Sequence, residues 1–74
     1  MKIKAELTFP PTLKDQPVIY NLCRESAAHF NILEASFSTD TGWAILVFDG
    51  SQEEIDKTLE FLKDKGVKIE TSQL

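Results

Sequence analysis

The chain has 74 residues, 42% of them apolar and 27% charged, with 8 basic against 12 acidic residues and a formal charge of −4. That length allows one domain, residues 1-74, whose folding takes only about 60% of the extended surface out of water. The apolar content argues against disorder, the lack of any run of roughly 20 apolar residues against membrane insertion, and the acidic balance against nucleic acid. The single cysteine can make no internal disulfide and cannot alone hold zinc or an iron–sulfur cluster. These features point to a reducing, cytoplasmic compartment, with no metal and no cofactor. Met1-Lys2-Ile3-Lys4-Ala5-Glu6 carries charge with no continuous apolar run behind it, so no signal peptide is expected.

Ile3, Ala5, Leu7 and Phe9 alternate with Lys2, Lys4, Glu6 and Thr8, the two-residue period of a half-buried strand. Pro10-Pro11 ends it, and Thr12 to Gln16 reads as a loop. Pro17 suits a first helical turn capped by Asp15 or Gln16. A helix from about Pro17 to His29 would then turn Ile19, Leu22, Cys23, Ser26, Ala27 and Phe30 inward, and Asn21, Arg24, Glu25 and Ala28 outward. A second strand from about Asn31 to Thr39 puts Leu33, Ala35 and Phe37 on one face, with Ile32 breaking the parity as a bulge would. Thr39-Asp40-Thr41-Gly42 reads as a hairpin turn, with Gly42 at positive φ. Trp43 to Phe48 is apolar on both faces, as in a central strand.

Gly50 and Ser51-Gln52-Glu53-Glu54 predict a second helix with a capping box. Its inward stripe is Ile55, Thr58, Leu59 and Leu62, flanked by Phe61, and Glu53 supports Lys57 four residues on. Gly66 suits a left-handed cap. Val67 and Ile69 point inward from a short last strand, and Thr71 to Leu74 reads as a frayed tail. The order strand-helix-strand-strand-helix-strand closes as a ferredoxin-like α+β fold. Its four-stranded antiparallel sheet has order 4-1-3-2, with both helices on one face.

Several short stretches now resemble one family. Leu7-Thr8-Phe9-Pro10 ends the first strand, Pro17-Val18-Ile19 starts the helix, and Asn31-Ile32-Leu33-Glu34-Ala35 opens the second strand. Gly42-Trp43, Asp49-Gly50 and Gly66-Val67-Lys68-Ile69-Glu70 continue the likeness over about 65 residues. In this order and spacing they resemble the NIL domain, a ferredoxin-like module. That family occurs on the ATPase subunit of methionine-import transporters, where it dimerises and binds methionine as a feedback signal, and beside iron–sulfur ferredoxin domains. Thr8-Phe9-Pro10, Gly42-Trp43 and the Gly66 to Glu70 ending resemble the second group more. Neither partner module stands in this chain. It has no phosphate loop and no Cys-x₂-Cys-x₂-Cys run, so the expectation is a free-standing domain.

No catalytic constellation is visible, so an enzyme is not expected. Cys23 reads as an inert packing residue and His29 as a helix-end residue that favours its charged form. Six residues apart on one helix, they would point about 120° apart and could not form a dyad. The acidic residues of the second helix read as a solvated face. The resemblance implies a homodimeric regulatory domain sensing methionine or a related small amino acid, with Pro17, Asn31, Ile32 and Leu33 as candidate ligand contacts. A protein-interaction module without any small-molecule ligand, docking beside an iron–sulfur or transporter protein, is the alternative. Phe37, Trp43, Ile45 and Val47 are the candidate dimer or partner surface.

Overall fold

The computed structural model describes residues 1–13 and 15–74. Its elements are β1 (Lys2–Phe9), a 3₁₀ turn (Pro11–Leu13), α1 (Val18–Glu25), β2 (His29–Phe37), β3 (Gly42–Asp49), α2 (Gln52–Asp64) and β4 (Lys68–Gln73). The sheet order β2-β3-β1-β4 is the ferredoxin-like order expected, with every paired strand antiparallel. Lys14, inside the expected loop, lies outside the described residues.

Period-two alternation decides the heart of the sheet. Ala5, Leu7 and Phe9 of β1 and Ala44, Leu46 and Phe48 of β3 are buried together, and their strands pair Ala5 with Leu46 and Leu7 with Ala44. From above, α2 presses Ile55, Thr58 and Leu62 onto this layer, and α1 adds Val18 and Leu22. Leu59 is only half-buried at the margin.

The second helix is defined at both ends by local chemistry. Glu54 N–H donates to Ser51 Oγ at 3.1 Å and Ser51 N–H donates to Glu54 Oε1 at 2.8 Å, the reciprocal capping box. At the other end Val67 N–H reaches Leu62 O and Gly66 N–H reaches Lys63 O, with Gly66 at φ 96°. This is the Schellman closure a glycine permits. Lys57 pairs with Glu53 at 3.2 Å as the spacing predicts.

The first helix departs from expectation. It stops at Glu25, four residues before the expected end, because Ser26 turns extended at ψ 125°. Ser26 Oγ donates to Ala28 O at 2.7 Å and lies 3.1 Å from Thr58 Oγ1, which itself donates to Glu54 O. That chain of bonds gives the buried Thr58 hydroxyl its partners and turns the backbone inward, burying Ala28, which was expected on the outer face. His29 and Phe30 are therefore residues of β2. The buried stripe is Val18 and Leu22, four apart, so Cys23 sits about 100° further round and is exposed, not packed.

Three strand details also differ. The bulge falls between Ile32 and Glu34, leaving Leu33 as the unpaired extra residue and not on an inner face. Gly42 has no positive φ; it is a buried strand residue over which the Phe37 ring lies, where a Cβ would collide with Phe37 Cδ1. Its lack of a side chain makes room for that ring. The expected tail is strand instead: Thr71, Ser72 and Gln73 pair with Ala5, Lys4 and Ile3, which satisfies backbone groups of β1. Among the described residues, no helix is long and apolar enough to cross a membrane.

Candidate functional site

The residues singled out in the sequence fall on a groove, on the open face of the sheet and on its β2 edge. The groove, of about 230 Å³, lies at the start of α1. Its floor is apolar, formed by Phe9, Leu13, Val18, Ile19 and Phe37, and its rim carries Gln16, Ser38, Asp40 and Thr41. The Phe9 and Phe37 rings lie 5.4 Å apart and tilted at 48°, an arrangement that holds the floor in place. Ser38 orders the opposite wall. Its N–H donates to Thr41 O at 2.8 Å, and its hydroxyl accepts the N–H groups of Asp40 and Thr41.

Pro17 stands at the helix start as N-cap, a position expected of Asp15 or Gln16. Proline has no side-chain acceptor, and among the described residues no side chain caps this helix. The N–H groups of Ile19 and Tyr20, second and third in α1, have no acceptor within the helix. Both residues line the groove. A carboxylate rim residue, Asp40, therefore shares one small apolar groove with an uncapped helix start.

The four candidate ligand residues are not brought together. Pro17 lines the groove beside Phe37, whereas Asn31 pairs with Val47 near the far end of β2. Asn31 lies six positions before Phe37 on the strand, about 20 Å of extended chain. Asn31 instead borders a shallow hollow with Lys2, His29 and Asp49. Ile32 and Leu33 are exposed on the sheet edge. The reason is the path of the chain: α1 runs away from Pro17 and β2 starts beyond its far end, so Pro17 meets the end of β2 at Phe37 and not its start at Asn31.

The candidate interface residues also divide. Because Ala44, Leu46 and Phe48 face the helices, Trp43, Ile45 and Val47 share the open face, where Trp43 is 41% exposed and the other two are half-buried. Phe37 pairs with Gly42 and packs on Phe9, so it lies on the helix side. The groove residues Leu13, Gln16, Asp40 and Thr41 were missed. Only Pro17 and Phe37 hinted at them, since a groove made by a loop and a distant hairpin leaves no spacing signal. Among the described residues, no three His, Cys, Asp or Glu side chains gather as metal ligands.

A small ferredoxin-like domain with one lipped apolar groove and one open sheet face is the class these observations define. The family model of the NIL domain matches residues 4–71, nearly the whole chain, and the chain belongs to that family of small regulatory domains. Among solved structures it is similar to the de novo designed protein Ferredog-Diesel, at 11% identity and a TM-score of 0.57. That likeness covers 99% of this chain and 85% of the other, and at such low identity it shows the fold alone. No curated protein matches.

Proposed function

We propose that this chain is a regulatory domain that works as a homodimer and binds one small apolar amino acid, methionine or a close analogue, in the groove at the start of α1. The observation that carries this reading is the pairing of an apolar floor with two polar ends in one groove sized for a single small molecule. The amino-acid side chain rests on Phe9 and Phe37. Its ammonium faces Asp40, and its carboxylate faces the N–H groups of Ile19 and Tyr20. Pro17 is kept from the expected contact set; Asn31, Ile32 and Leu33 are not part of this groove.

The test is a thermal-shift screen of the amino acids on the purified chain. Methionine at a hundredfold excess over its Kd stabilises by about 2.7 kcal/mol, roughly 10–20 °C in Tm for a domain this small. Asp40→Asn should lose most of that shift. A flat response to every amino acid would defeat the reading and favour the second one, a docking module for a protein partner. That second reading is supported by Ile32 and Leu33, which are 43% and 53% exposed on the free β2 edge.

A further inference from the structure

We infer that the second copy docks on the open face of the sheet, face to face and antiparallel, with Lys4 of each copy against Glu6 of the other. This deepens the homodimer proposed above and rests on it. Pairing across the sheet sets the open face in rows. One row runs Glu34, Ile45, Glu6 and Glu70, and the next runs Asn31, Val47, Lys4 and Ser72. The first has three carboxylates and the second has one cation; outside them lie Ser36, Trp43, Thr8 and Lys68 on one side and His29, Asp49 and Lys2 on the other. Its apolar column, Trp43, Ile45 and Val47, sits on the central strand β3.

Charge then selects the two-fold axis. An axis parallel to the strands keeps rows in register and sets carboxylate over carboxylate, Glu34 against Glu6. An axis across the strands and through either row opposes Glu6 to Glu6 or Lys4 to Lys4. An axis across the strands between the Glu6 and Thr8 rows opposes no like charges but leaves half of the face uncovered. Among axes that bring all four rows into contact, the one across the strands and midway between the Glu6 and Lys4 rows avoids every like pair. It stacks Ile45 on Val47 of the second copy, sets Glu34 opposite Asn31 and Glu70 opposite Ser72, and brings Glu6 to Lys4 twice. A hollow beside Trp43, bounded by Glu6 and Glu34, leaves room for the incoming ammonium.

The β2 edge is the weaker choice for a second copy. Its bulge at Ile32/Glu34 interrupts the ladder that an added strand would extend. A four-stranded face of this length offers on the order of 500 Å² per copy, a small interface suited to a micromolar Kd.

Sedimentation equilibrium on four chains tests the register, with circular dichroism as the folding control. Glu6→Lys and Lys4→Glu should each weaken the dimer about tenfold by setting like charges together. Mixed one to one, the two variants should form a heterodimer tighter than either alone, and the double exchange in one chain should regain the parent affinity. If a reversal fails to fold, Glu6→Gln replaces it and should remove the salt dependence of the parent dimer. A parent dimer indifferent to both reversals overturns this register while leaving the homodimer standing. A parent that stays monomeric at about 100 μM overturns both.

Discussion

The two helices of this domain are built by different means. α2 carries its own start and stop: a reciprocal capping box at Ser51 and Glu54, and a Schellman turn at Gly66. α1 has eight residues, a proline where a capping side chain would stand, and an end set by Ser26 bonding to Thr58 of α2. The buried core follows the same division. Leu46, Phe48, Ile55 and Leu62 are fully enclosed between the sheet and α2, whereas β2 has every residue from Asn31 to Phe37 exposed. The lesson is that the rigid half lends order to a half whose polar groups are left unspent, and the candidate groove lies in the second half.

The largest effect should separate the halves by stability. Leu46→Ala leaves a cavity in the enclosed layer and should cost about 2–5 kcal/mol, much of the total for a domain of this size. Leu33→Ala, on the unpaired bulge residue, should stay within about 0.5 kcal/mol. Urea melts of both compare them directly, and equal losses would erase the distinction. Next comes the tightest contact of the open half. Gly42→Ala should cost roughly 1–3 kcal/mol because the new methyl meets the Phe37 ring. The double variant with Phe37→Ala should lose much less than the sum of the singles, since it removes the clash.

The caps give a smaller contrast. Ser51→Ala should cost about 1 kcal/mol by breaking the capping box. Pro17→Ser supplies α1 with the acceptor it lacks, and should change stability by less than about 1 kcal/mol because the lost proline rigidity offsets the gain. Its informative readout is ligand binding: a serine hydroxyl occupying the same N–H groups should shrink the methionine-induced rise in Tm.

The smallest effect concerns pH. The Ser51 backbone N–H, and next its side chain, hold the Glu54 carboxyl below its ordinary value of 4.5. A carboxylate depressed in the folded state adds stability that is fully present above pH 4.5 and fades as pH falls through the lowered native value. Glu54→Gln should therefore flatten the stability profile in that acid window and nowhere else. Melts from pH 3 to 7 check the sign.

How far the sequence could be read follows the same two halves. Ser51, Glu54 and Gly66 act on near neighbours, so α2 and its caps were readable from spacing alone. The alternation in β1 and β3 placed the enclosed layer and the strand order, and the Ile32 parity break marked the bulge. The end of α1 was not readable, because it depends on a hydroxyl 32 residues away, Thr58, meeting Ser26. Carrying the helix to His29 then misplaced Ala28 and His29, while a wrongly phased stripe buried Cys23. Reading Thr71 to Gln73 as a tail failed for a related reason: polar edge residues show no pattern until β1 pairs with them. The groove depends on Pro17 and the Asp40 turn meeting through the fold, and no local spacing records that meeting.

The most direct test of the account is where methionine acts on the folded chain. Backbone amide shifts followed during a methionine titration should move at Ile19, Tyr20, Asp40 and Thr41, with the amides of α2 and β4 still. Shifts centred on Asn31 to Leu33, or none at saturating methionine, would contradict the assignment of the site to the start of α1.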